Sequence, residues 1–335
     1  SSRHTRWFVR SRGLGDVNKS QAARSESDNA SRRASVSKVI EVPEVLDHRG
    51  FEELVATLGG LPEASASRLL FNAKHVRWVS PYGLIGLLAA AQVSRDRTGL
   101  SPRIEAPDNR DVRSYLDRME FWPAAHDVFD MEPGSAPSHG TSDALLEITP
   151  IRSHHDVHTV VEKVRERSAA ILEKRLHYPK PSVIQFSVML SEVCQNIIEH
   201  ADADGWVCAQ TYNYRERLGR EVLMLAVMDV GMGFEGSLGS EHARRYGESW
   251  SAAMALEAAL LYGESRFRDP GRGQGLQAIR RQVEKWDGML AIRSGDAQIA
   301  LVPDWDDYPS MQRSLPAFPG AQILIVMPAR TEEVR

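Results

Sequence analysis

Two apolar runs, Gly205 to Tyr214 and Glu221 to Asp229, flank the polar stretch "RERLGR" and read as two strands of a hairpin. The second ends in Asp229-Val230-Gly231-Met232-Gly233. An Asp at a strand end followed by two glycines leaves a carboxylate facing a pocket floored by backbone. Such a carboxylate can accept a hydrogen bond from an exocyclic amine, which suits adenine. A pattern this short arises by chance in about a tenth of chains of this length, so its neighbours decide what it means.

One neighbour lies upstream. Ser182 follows Pro181 and is expected to cap a helix whose apolar positions include Ile184, Phe186, Leu190, Val193 and Ile197. At ~100° per residue, Glu192, Asn196 and Glu199 fall within about 60° of one another on a different face. A carboxylate and a carboxamide one turn apart suit Mg2+, the Asn oxygen being a hard ligand and the Glu able to orient or deprotonate a nucleophile. A solvated helix face gives the same pattern. The other neighbour is Gly271-Arg272-Gly273-Gln274-Gly275-Leu276, which runs into a helix through Ile279, Val283 and Trp286. Glycines there let backbone N–H groups and the helix dipole meet phosphate oxygens. No strand leads into this run, since "SRFRDP" does, which argues against a dinucleotide turn and for a lid. A purely structural glycine loop is the competing reading.

Glu192-x-x-x-Asn196, Asp229-x-Gly231-x-Gly233 and Gly271-x-Gly273-x-Gly275-Leu276 occur in the order and spacing that resemble the N, G1 and G2 boxes of the GHKL ATPases, the superfamily of histidine kinases, anti-sigma-factor kinases and type II topoisomerases. Gly288 to Ile292, Ser294-Gly295 and Gly320 to Ile325 resemble that family's last strands. The resemblance covers residues 145–331 and implies an α/β sandwich with a mixed sheet covered on one face by helices. It implies ATP and Mg2+ as cofactors. Asn196 would ligate the metal and Asp229 would bind the adenine amine, with Gly231 and Gly233 admitting the base. Gly271, Gly273, Gly275 and Leu276 would form the lid, with Arg272 a phosphate contact. Glu192 would be the catalytic base, as in anti-sigma serine kinases, and His200 is similar to their N-x-x-x-H pattern. Ala321 stands where many members carry Thr, which bears on hydrolysis more than on binding.

The first half alternates short strands with helices. Leu69-Leu70-Phe71 reads as a strand, Gly83 to Val93 as an apolar helix, Arg103 to Ala106 as a short strand and Val112 to Met119 as a closing helix. "FNAKHVRWVSPYGLIGLLAAAQ" resembles the centre of a STAS domain, the fold of anti-anti-sigma factors. Alignment on Gly83-Leu84 puts Ser80, Pro81 and Tyr82 over the family's Asp-Ser-Ser, so Tyr82 replaces the usual phosphoserine and the acceptor is lost. Ser80 is a weak alternative acceptor and reads equally as a helix cap. The expected layout is a disordered basic tail over 1–37, a STAS-like unit over 38–130, a linker over 131–144 and the ATPase-like unit beyond.

Charge and composition narrow the function. The formal net charge is −4, yet residues 1–38 hold nine Lys/Arg against three Asp/Glu, which leaves about −10 for the rest. Nothing global points to nucleic acid. No apolar run approaches the ~18 residues of a membrane span, no apolar stretch follows Arg3, Arg6 and Arg10, and the only cysteines, Cys194 and Cys208, sit in apolar stretches as core thiols. A cytoplasmic protein is expected. His154, His155 and His158 begin a single helix without a partner of matching length, which sets aside a sensor histidine kinase. A topoisomerase-like clamp would need a transducer segment carrying a catalytic Lys, for which no room is expected in a chain ending at Arg335. The expectation is an Mg-ATP-binding regulator, an anti-sigma-like serine/threonine kinase or slow ATPase switch, with a protein partner on the STAS-like unit and a homodimer left open. The alternative is a non-catalytic ATP-gated interaction module. Pro303 to Pro319 is an unusually long connection, either a binding loop or an insert.

Overall fold

The structure, a computed structural model, describes residues 36–60, 68–131, 144–201, 203–214, 218–247, 250–264 and 274–330. The basic tail up to residue 35, the linker over 132–143 and the segment 265–273 lie outside them. The chain is mixed α/β.

Its first part holds strands β1 (Val36–Glu41), β3 (Arg68–Asn72) and β5 (Arg103–Glu105), paired in parallel in the order β1-β3-β5. The short strands β2 (Val45–Leu46) and β4 (Trp78–Val79) make a second parallel pair. Between them run helices α1 (His48–Gly59) and α2 (Pro81–Thr98), followed by α3 (Arg110–Arg118) and the short α4 (Phe121–Ala125). The expected strand at Leu69 and helix at Gly83 are therefore present, with α2 starting two residues earlier at Pro81. Ser80 is its N-cap, accepting a hydrogen bond from the Gly83 N–H at 3.1 Å, which is the capping role rather than an acceptor's. Apolar residues run round the whole of α2, from Pro81 to Ala91, and all are buried. A helix of that kind needs cover on every side. One side is α1, reached closely because Gly86 faces the Phe51 ring and Gly83 leaves no room for a Cβ against the Leu46 carbonyl.

The other side is a seven-stranded sheet, in the order β11-β10-β9-β12-β8-β7-β6, from β6 (Leu146–Ile151), β7 (Gly205–Tyr214), β8 (Arg220–Asp229), β9 (Met289–Gly295), β10 (Ala297–Leu301), β11 (Met311–Gln312) and β12 (Phe318–Pro328). Every described pair in it is antiparallel, which corrects the expected mixed sheet. The expected cover on one face is corrected too. Along β8, Leu223, Leu225 and Val227 pack with α5 (His154–Ser168), α6 (Lys180–Asn196), α7 (Gly233–Tyr246), α8 (Ala252–Glu257) and α9 (Gln274–Lys285), while Val222, Met224, Ala226 and Met228 pack with α1 and α2. Successive strand residues point to opposite faces, so helices cover one face and the N-terminal unit covers the other.

Polar contacts fasten the two units. Tyr115 and Tyr212 share a hydrogen bond of 2.7 Å, and Arg152 pairs with Asp127 at 2.5 Å. The connection after β10 is ordered rather than an unstructured insert. Tyr308 lies 4.7 Å from the His48 ring, and Phe318 packs edge-on against Phe51 at 5.2 Å. Cys194 and Cys208 are buried, with burial pushing the Cys194 thiol up to about 12 and Cys208 higher still.

Candidate functional site

Helix α6 begins at Lys180 with Pro181 in its first turn, a position where the missing N–H costs nothing, so Ser182 lies inside the helix and is not its cap. Phe186, Leu190, Val193 and Ile197 are buried as expected, but Ile184 is 66% exposed and faces solvent with Val188. Glu192 and Asn196 are half-buried near the far end. There the helix widens into a π turn over Ile197–Ala201, a distortion often found at functional sites. Asn196 is thus the last α-helical residue. Glu199 and His200 lie in the widened turn, and the His200 side chain falls outside the described residues.

The π turn delivers Ala201 to the glycine motif after β8. The Ala201 carbonyl accepts the Met232 N–H at 3.1 Å, and Gly231 sits so close that a Cβ there would overlap that carbonyl. Gly233 has φ +64°, the left-handed region that favours glycine, and a Cβ on it would lie 2.5 Å from Ser294 Oγ. Ser294 accepts the Phe234 N–H at 3.0 Å and donates to the Gly320 carbonyl at 2.8 Å, tying this loop to β9 and β12.

Asp229 closes β8. Only 6% of it is exposed, and its Oδ1 accepts two backbone N–H groups, Gly231 at 2.9 Å and Ala321 at 3.3 Å. No donor among the described residues reaches Oδ2. Burial pushes the carboxyl up to about 6, against the downward pull of the two N–H donors. A carboxylate with one oxygen fixed by backbone and the other unclaimed has an acceptor left for a further donor. Gly320, with φ +81°, lies against the Asp229 main chain, and no side chain fits there.

The third motif is described from Gln274 onward, so Gly271, Arg272 and Gly273 lie outside the described residues. Gly275 opens α9, and a Cβ on it would meet Glu192 Oε2 at 2.7 Å. Leu276 is buried, as are Ile279, Val283 and Trp286. The glycine therefore brings the last motif onto the carboxylate of the first.

Glu192 touches the third motif, Ala201 touches the second, and Asp229 is held by the final strand through Ala321. Sequence reasoning assigned no role to Ala201, Ser294 or Gln322, whose contacts knit the site. Ser294-Gly295 and the run Gly320 to Ile325, read as last strands, were the signals for Ser294 and Gln322, and none pointed to Ala201. Among the described residues no group of three or more His, Cys, Asp or Glu side chains could hold a metal alone, and no helix is long and apolar enough to cross a membrane. In comparisons with known proteins, no family model and no curated protein matches this chain.

Proposed function

We propose that this chain is an Mg-ATP-binding regulatory protein, a GHKL-type ATPase unit over 145–331 carrying a degenerate STAS-like unit over 38–130. The observation that supports it most is Asp229, a buried carboxylate with Oδ1 bound by Gly231 and Ala321 and Oδ2 without a donor among the described residues. An adenine amine is a donor of the kind such an oxygen accepts from. Gly231 and Gly320 let the backbone close tightly around the carboxylate.

In this reading Asn196 would hold Mg2+ together with the nucleotide's own phosphates, its amide oxygen being a hard ligand. Bound ATP supplies the terminal phosphoryl group. Glu192 would orient or deprotonate the attacking hydroxyl, of a serine or threonine side chain or of water, and it lies against Gly275 of the third motif. The leading assignment is an anti-sigma-like serine/threonine kinase or slow ATPase switch.

One observation favours the alternative, a non-catalytic ATP-gated interaction module. Ser80 and Tyr82, at the acceptor turn of the STAS-like unit, are both 3% exposed, and α2 is packed on β7 and β8 of the same chain. The face that would meet a separate kinase is in use internally, which supports self-regulation over docking of an outside protein. The test is the fate of terminally labelled ATP with Mg2+ and the full chain, beside Glu192→Ala. Labelled protein or released phosphate that disappears in the variant is expected. Tight binding without turnover in either protein overturns the kinase assignment.

A further inference from the structure

Among the described residues Arg293 is the largest fully buried side chain, at 1% exposure, in the apolar strand β9. It points to the face covered by the N-terminal unit, between Phe51 and Phe318, with its guanidinium carbon 5.9 and 5.8 Å from their ring centres. Its carboxylate partner is Glu52 of α1, with Nε to Oε1 at 2.6 Å and Nη2 to Oε2 at 3.2 Å, the two-pronged geometry in which guanidinium and carboxylate pair best. The ATPase-like unit thus buries a cation whose counter-ion belongs to the other unit.

The remaining donors of Arg293 lead to Asp229. Nη1 donates to Gln322 Oε1 at 3.3 Å and to the Gly295 carbonyl at 3.2 Å, and Nη2 donates to the Pro316 carbonyl. Gln322 is wholly buried, opposite Arg293 on β9 and Met228 on β8. Its Nε2 donates to the Asp229 carbonyl at 3.3 Å and to the Pro319 carbonyl at 2.9 Å, which holds the bulge in β12 between Phe318 and Ala321. The residues beside them, Ser294 after Arg293 and Ala321 before Gln322, face the opposite side and hold the Gly320 turn and Asp229 Oδ1. Two adjacent strand segments therefore have Arg293 and Gln322 on one face and the floor of the Asp229 site on the other.

We propose that Glu52 of the N-terminal unit is a positioning residue for the Asp229 site, acting through Arg293 and Gln322, so that docking of the N-terminal unit and occupancy of that site are one coupled equilibrium. This rests on the nucleotide reading above for the identity of the occupant. Without Glu52, Arg293 is a buried cation lacking its counter-ion, and it must turn toward water or other acceptors. Either movement releases Gln322 and loosens the Asp229 backbone. Coupling is reciprocal, so a nucleotide that fixes Asp229 must also strengthen the hold on α1.

The experiment uses the full chain, wild type and Glu52→Gln, with Mg-ATP as the probe. Calorimetry is expected to show affinity at least about fivefold weaker in the variant, the lower end of ordinary site-to-site coupling. Mg-ATP is expected to slow hydrogen exchange of α1 amides in wild type and not in the variant. A readout free of nucleotide is the ionisation of Asp229, followed by carbon NMR of its carboxyl and assigned with Asp229→Asn. Its midpoint is expected to fall in Glu52→Gln by about half a pH unit or more as the loosened site hydrates. An unchanged midpoint overturns the inference. If wild type fails to bind Mg-ATP, the nucleotide reading falls and the Asp229 midpoint alone decides the positioning role. Gln322→Met cuts the chain of contacts beyond an intact ion pair and serves if Glu52→Gln does not fold. Where both fold, the double variant is expected to shift the midpoint no further than either single one, whereas unconnected structural damage would add.

Discussion

Replacing Asp229 by Asn separates what the carboxylate does for a ligand from what it costs the fold. The folded chain holds this carboxyl near 6, whereas an unfolded chain releases the proton near ~3.9. Because the folded-state value is raised, the native protein binds the proton more tightly. The contribution of Asp229 to stability is therefore greatest below about pH 4, falls as pH rises through about 4 to 6, and is level above. A difference of about 2 pH units at ~1.36 kcal/mol each makes the ionised carboxylate a burden of about 3 kcal/mol at neutral pH. Asn keeps an oxygen for the Gly231 and Ala321 N–H groups and carries no charge. Asp229→Asn is expected to unfold at higher urea than wild type at pH 7.5, by up to about 3 kcal/mol, and to lose the decline between pH 4 and 6. Its Nδ2 would point where Oδ2 stood, donor against donor, so Mg-ATP affinity is expected to fall by about tenfold to a hundredfold. Asp229→Ala strands both N–H groups and should gain less stability. Urea curves at pH 4.5 and 7.5, with calorimetry at 7.5, decide it. An Asn variant less stable than wild type at pH 7.5, or one with the same pH slope, would refute the reasoning.

Other expectations are quicker to check. Gly275→Ala improves helix propensity by up to about 1 kcal/mol yet pushes against Glu192 Oε2, so thermal stability should hold or rise while turnover of labelled ATP falls. Arg293→Ala leaves Glu52 without its partner and empties the space between Phe51 and Phe318, which should cost about 3–5 kcal/mol in urea denaturation. Ser294→Ala removes the acceptor for the Phe234 N–H and the donor to the Gly320 carbonyl, at about 1–3 kcal/mol, with weaker Mg-ATP binding in the same titration. Both cysteines should stay unreactive toward a thiol reagent in the native protein and react only on unfolding, because each is buried and its thiol is pushed up.

The hairpin of β7 and β8 was legible almost to the residue, because unbroken apolar runs end abruptly at a polar turn and at Asp229. The start of α9 was legible for a similar reason, with Ile279, Val283 and Trp286 recurring at helical spacing. The same logic erred at α6. Ser182 looked like a cap, but Pro181 fits the first turn of a helix that starts earlier, and Ile184 is apolar yet solvent-facing. The doubly covered sheet was written in Val222 to Met228, where residues of both parities are apolar. A strand with one wet face would alternate. Arg293 could not be read locally, since its meaning depends on Glu52, which lies 241 residues away in sequence. Gly271, Arg272 and Gly273 fall outside the described residues, and only Gly275 links their motif to the site.

The place of β12 in the sheet bears on how such a chain is made. It comes last in chain order among the described strands, yet it lies between β8 and β9 and pairs with both along most of its length. Until it has left the ribosome, two sheet edges stand open and Asp229 Oδ1 has the Gly231 N–H but not that of Ala321. The apolar surface of α2 meanwhile has only an unfinished sheet to lie on. A nascent chain halted before residue 318 is therefore a client for holding chaperones, and a protease that clips β12 from the finished protein unravels the centre of the sheet rather than trimming its rim.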